Sequence, residues 1–177
     1  LWTYGIADTP LPIHTTSRVP QPLHPESAAL DEAAIARYAA LLQELLEKTK
    51  TVGRLATVSL PVSSIFQVVM TLPKVPEKEL EHHVLSKVKN MLPEPLNTMQ
   101  IVHQVIPPRE GGAGSDMKIL VTAAPREMVK FYTTIFSRAG LTLEALETEA
   151  FAVERSLMGH DQATAMIVDM GYRHTNF

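Results

Sequence analysis

The stretch from residue 66 to 121, cut into pieces by prolines, constrains the fold most. Phe66, Val68, Val69, Met70 and Leu72 make an apolar, β-branched run that reads as a strand, and Pro73 stops it. Pro76 suits the first turn of a helix, where its missing N–H costs nothing. Glu77 and Glu79 then lie near the positive end of the helix dipole. Leu80, Val84, Val88 and Met91 recur every three or four residues and form one apolar stripe. Glu81, His82, Lys87 and Lys89 fall largely off it, and Pro93 and Pro95 end the helix. Residues 99–106 alternate, with Met99, Ile101 and Val105 on one side and Gln100 and Gln104 on the other. After a Gly-rich tip at 111–115, residues 117–124 give a third strand. A helix with one apolar face needs a sheet to cover, so this stretch predicts a strand-helix-strand-strand α+β module.

The chain around it alternates helices and strands, which predicts an α/β or α+β protein and excludes a bundle or sandwich. Residues 1–25 hold five prolines and read as extended loop, with a strand remnant at 2–6. Ser27 or Asp31 can cap a helix whose apolar face is Ile35, Tyr38, Leu42, Leu45 and Leu46, with Gly53 ending the connection. Residues 54–60 predict a strand broken by Pro61. Past Pro125 come a helix closed by Gly140, a strand at 141–146, a helix at 148–158 and an apolar strand at 165–170. That last strand looks buried, yet little chain follows to cover it, and residue 1 is Leu. Both ends are therefore expected to be cuts in a longer protein.

At 177 residues the chain can bury roughly 70% of its unfolded surface without staples. A net charge of −3 gives no electrostatic case for nucleic acid or an anionic membrane. The absence of cysteine excludes disulfides, thiolate metal sites and cysteine nucleophiles. No apolar run approaches the ~20 residues that span a bilayer.

The most chemical stretch runs from Asp169 to Thr175. A carboxylate at the end of an apolar strand can reach hydrated Mg²⁺. Gly171 lets backbone approach a phosphate, and the Thr175 hydroxyl can donate to one. The alternative is an ordinary strand end and turn. His82 and His83 point about 100° apart on a helix and cannot converge on one ion, so no metal site is expected there. Nucleotide-binding glycine loops and a serine elbow are missing, and no catalytic residue is assigned.

The ordered pieces Val58-Ser-Leu-Pro61, Leu72-Pro73, Glu79-Leu80, Met91-Leu-Pro-Glu-Pro-Leu96, Val121-Thr-Ala-Ala-Pro125, Ala139-Gly-Leu141, Glu147-Thr-Glu-Ala-Phe-Ala152 and Asp169-Met-Gly171 with Thr175 resemble the type IV pilus assembly protein PilM family over residues 27–177. The resemblance implies part of an actin-like fold of the sugar kinase, Hsp70 and actin superfamily. Its subdomain 1A would carry a strand-helix-strand-strand insert, 1C. The implied division is partial 1A at 1–61, 1C at 62–124, the return to 1A at 125–160 and the start of a second lobe at 161–177. Lys87 stands where the family usually has an acidic residue, and Glu94 where it commonly has Phe.

By the same resemblance, the protein would be a scaffold at the cytoplasmic face of the inner membrane; no enzymatic activity is expected of this chain, with weak ATPase activity the alternative for the full-length protein. It would recruit the N-terminal tail of a PilN-like membrane protein into a groove between 1A and 1C, alongside other pilus components and with self-association as a further expectation. Val62, Ile65, Phe66 and Val68 are the candidates for lining the groove, the alternative for each being plain core. ATP with Mg²⁺ is the cofactor implied for the longer protein, with Asp169, Gly171 and Thr175 as one phosphate-binding turn. The missing first turn implies little ATP binding by this chain. Alternatives are a piece of a cell-division protein like FtsA, of a type II secretion protein like GspL, or of a phosphotransferase of the superfamily.

Overall fold

The computed structural model describes residues 32–60, 62–108, 116–157, 166–170 and 175–176. The expectations for the Pro-rich start, the tip at 111–115 and Gly171 lie outside them. The elements run α1 (Glu32–Thr49), β1 (Leu55–Leu60), β2 (Phe66–Pro73), α2 (Glu77–Val88), β3 (Met99–Ile106), β4 (Asp116–Pro125), α3 (Arg126–Arg138), β5 (Thr142–Thr148), α4 (Glu149–Leu157), β6 (Asp169–Met170) and β7 (Thr175–Asn176). Short 3₁₀ turns occupy Val62–Ser64 and Leu96–Thr98.

The strand-helix-strand-strand order is present, with β4 central in an antiparallel sheet of order β2-β4-β3. Strand pleating sends alternate side chains to opposite faces. Phe66, Val68, Met70 and Leu72 of β2, with Ile119 and Val121 of β4, meet Leu80, Val84 and Val88 of α2. Those helix positions are spaced four apart, so one stripe is buried and the sheet has one covered face. Met91 is not part of the stripe. The helix ends at Val88, the Met91 N–H closes a turn onto the Val88 carbonyl, and the side chain is 44% exposed. Pro76 is the N-cap rather than a helical residue, and its carbonyl accepts from the Glu79 N–H. Lys87 Nζ donates to the Thr71 carbonyl at 2.8 Å, which fastens α2 over the outer margin of β2.

A second sheet pairs β1 and β5 in parallel, from Leu55 opposite Thr142 to Leu60 opposite Thr148. Parallel pairing needs a crossover, and α3 provides the return. The register slips between Ala56 and Thr57, leaving Glu144 as an extra residue in β5. α1 packs on α3 through Ile35, Tyr38 and Ile135, with Tyr38 and Phe131 meeting edge to face. Burial pushes the Tyr132 phenol above its ordinary range.

Both of these helices end in a left-handed residue. After α3, Gly140 has φ +76°, its N–H meets the Ser137 carbonyl, and the Leu141 N–H reaches Phe136. After α1 the same pair of bonds forms around Lys50 at φ 54°, so Lys50 and not Gly53 makes the turn. The C-terminal apolar segment also departs from expectation. Its strand is only two residues long, paired with β7, and Met166 and Met170 are 79% and 80% exposed. Nothing among the described residues covers them, so apolar composition there did not produce burial.

Candidate functional site

The two sheets face each other across a groove of about 390 Å³. One wall is the bare face of the β2-β4-β3 sheet, turned away from α2. Pleating puts Gln67, Thr122 and Val102 there in one cross-strand row, with Gln100 and Ala124 beside them. Gln67 Nε2 donates to Thr122 Oγ1 at 3.1 Å, which holds the polar end of that row in place. The opposite wall is β5, every residue of which from 143 to 148 touches the groove. Consecutive residues can line a groove together only where a strand presents its edge. β5 has one strand neighbour, β1, so its second edge is unpaired among the described residues. Val129 and Thr133 of α3 and Phe151 of α4 close the ends, and Leu60 and Ile65 mark where the chain passes between sheets.

Three contacts fix this geometry. Glu149 Oε1, in the first turn of α4, accepts from the Val62 N–H at 3.1 Å and ties the turn before β2 to the end of β5. Arg126 Nε donates to the Met99 carbonyl at 3.1 Å, joining α3 to the start of β3. Arg155 makes a two-pronged bond to Glu147, and those hydrogen bonds hold the Glu147 carboxyl below its ordinary value. Apolar side chains dominate the lining, so the groove suits an uncharged, extended chain segment better than a highly charged ligand. No group of three His, Asp or Glu side chains able to hold a metal ion occurs among the described residues.

The sequence-predicted residues divide. Ile65 lines the groove. Val62 is half-buried next to it, held by its main-chain bond to Glu149. Phe66 and Val68 do not reach the groove, because strand parity turns them under α2 onto the core of the insert. The neighbouring residue Gln67 points into the groove instead. The sequence held a signal for this: the covered face must share parity with Met70 and Leu72, leaving odd positions of β2 for the other side. The β5 edge and Phe151 were missed altogether, since edge exposure depends on strand order. Asp169 is exposed on β6, one position from the Met170 that pairs with Thr175, so the hairpin brings these two candidates onto facing strands. None of these belongs to the groove lining.

No helix among the described residues is long and apolar enough to cross a membrane. A search of curated proteins finds no match. Among solved structures, the chain is similar to one titled "PilM-PilN type IV pilus biogenesis complex". The identity is 26% and the TM-score 0.63, over 71% of this chain and 37% of that one. The chain thus spans little more than a third of that relative's length. The cytoplasmic domain of EpsL, an inner-membrane component of the type II secretion system of Vibrio cholerae, is more distant, at 14% identity and TM-score 0.46 over 62% of this chain and 42% of that one. The mixed sheets and the inserted module are those of an actin-like fold with a strand-helix-strand-strand insert. With the profile described as "Type IV pilus assembly protein PilM" matching residues 24–177, the chain belongs to the PilM family of type IV pilus assembly proteins.

Proposed function

We propose that the groove between the two sheets takes the N-terminal cytoplasmic tail of a PilN-type membrane protein as an added strand along β5. The observation that carries this is the coincidence of an unpaired strand edge with an apolar wall directly opposite it. An extended peptide can satisfy the main-chain groups of β5 while its alternate side chains rest on Val102, Ala124 and Phe151. Likeness to the PilM-PilN complex supports the choice of partner. Such a tail would hold the protein at the inner membrane. Calorimetric titration with a synthetic tail peptide tests this: one-to-one saturable binding supports the reading, and a folded chain that binds nothing sinks it.

In the longer protein we assign Asp169, Gly171 and Thr175 to one phosphate-binding turn for ATP with Mg²⁺. The exposed Asp169 carboxylate fits a hydrated magnesium ion, and its hairpin places Thr175 opposite the neighbouring Met170. We assign no catalytic step to this chain. Its role in this reading is recruitment.

A further inference from the structure

A segment docked along β5 has only half of its main chain satisfied by that strand. In an extended chain the N–H and C=O groups of successive residues point to opposite edges. Every second residue of the segment bonds β5, and the residues between turn toward the wall across the groove, the bare face of the β2-β4-β3 sheet. Main-chain groups shut off from water there need other partners, or binding suffers. The polar side chains that this sheet gives the groove are Gln67, Gln100 and Thr122. Gln67 and Thr122 are bonded to each other. Gln100 is exposed, and its carboxamide has no hydrogen-bond partner among the described residues. Strand parity fixes its direction. Met99 is 2% exposed and Ile101 packs onto the core under α2, so Gln100 between them stands on the groove face. Its neighbours on that face, Ala124 across the strand and Val102 two residues on, cannot engage it. The Arg126 bond to the Met99 carbonyl anchors the main chain one residue away.

Resting on the docking reading above, we propose that Gln100 is a second hold on the bound tail, its carboxamide hydrogen-bonding the N–H and C=O of one tail residue that faces away from β5. A carboxamide carries an acceptor oxygen and an NH₂ donor in one plane, so it can meet both main-chain groups of one extended residue. The tail is then gripped from both edges, by β5 on one side and by Gln100 on the other. This contact reads backbone and not side chain, so it tolerates variation in the tail with one exception. Proline has no N–H and loses one of the two bonds. A site built to hydrogen-bond a group rejects a partner that lacks it more sharply than an apolar surface does.

The test compares wild type with Gln100→Met and Gln104→Met in calorimetric titrations against a synthetic peptide of the PilN-type tail, alongside thermal melts. Methionine keeps the length of the side chain and removes both polar groups. Gln104 lies on the same face of β3 but outside the groove lining, so it controls for general loss of surface polarity. Gln100→Met should melt within about 2 °C of wild type and bind roughly five- to thirty-fold more weakly, and Gln104→Met should bind within about two-fold of wild type. A second measurement replaces each peptide amide in turn by an ester, which removes one N–H. Esters at alternate positions should weaken wild type and Gln100→Met alike, through β5. One ester, at a position between two of these, should weaken wild type and have much less effect in Gln100→Met. Unchanged affinity in Gln100→Met, an equal loss in Gln104→Met, or no coupled ester of that parity overturns the proposal and leaves groove docking standing. Failure of the wild type itself to bind the peptide overturns the docking reading and this proposal with it.

Discussion

Ile119 and Val102 lie on adjacent strands of one sheet but on opposite faces, and the structure predicts opposite consequences for changing them. Ile119 is 0% exposed, flanked in register by Met70 and Val105 and packed in the cluster that α2 covers. Ile119→Ala removes three carbons, worth about 2.4 kcal/mol in transfer free energy. A residual cavity of roughly 50 Å³ adds about 1.2 kcal/mol, for a total near 3.5 kcal/mol. Val102 is 57% exposed on the groove face, so the isosteric Val102→Thr should change stability by under about 0.5 kcal/mol. Its effect should appear in peptide affinity, as a loss of roughly three- to ten-fold. Urea denaturation followed by circular dichroism separates the two. With a slope near 2 kcal/mol per molar urea, Ile119→Ala should lower the midpoint by roughly 1.5–2 M and Val102→Thr should barely move it. Equal shifts for the two variants, or a shift below about 0.5 M for Ile119→Ala, would refute the assignment of faces.

The two helix ends supply a mirrored pair. Gly140→Ala places a side chain at φ +76° where no neighbour obstructs it, so its whole cost, about 1 kcal/mol, is backbone strain. Lys50→Gly relieves the same strain at φ 54° and should stabilise by about 0.5 kcal/mol after the extra flexibility glycine gives the unfolded chain. Thermal melts of both variants check the signs. Glu147 titrates below its ordinary 4.5 because Arg155 hydrogen-bonds its charged form. A lowered folded value adds stability above the ordinary value and loses it as pH falls through the lowered one. Arg155→Ala should therefore melt slightly lower than wild type at pH 6, and the two should converge in acid. Arg155 is solvent-exposed and solvent screens the pair, although Glu147 is half-buried, so the difference is modest. Calorimetry with ATP and Mg²⁺ should give no saturable heat with this chain, and micromolar binding would contradict the recruitment-only role.

Much of the fold was legible because it is written locally. Prolines bracket β2 and α2, and the spacing of Leu80, Val84 and Val88 names the buried helix face without any knowledge of the sheet. The alternation of β3 likewise sets its two faces. What local pattern leaves open is which strand pairs with which. That β4 sits between β2 and β3, and that β5 keeps a bare edge, are properties of the assembled sheets. The groove is built from those two facts, so its location was not legible, and two of the four proposed lining residues went to the core. Lys50 escaped notice for a different reason. A lysine in the left-handed position follows no compositional signal, since glycine is the residue that marks such turns.

The placement of the insert also shapes how the chain can find its fold. Val62 and Glu149, bonded to each other, stand 87 positions apart in sequence. Closing so long a loop in an unfolded chain carries an entropy cost that grows with the logarithm of its length. The β2-β4 pairing already brings Phe66 opposite Ala123. If the insert forms first, roughly 30 flexible residues remain between the partners, and the closure becomes easier by about 1 kcal/mol. In that order of events the insert acts as a folding scaffold for the rest of the chain. Core substitutions in the insert should slow assembly of β1 on β5, although the two sheets share no strand.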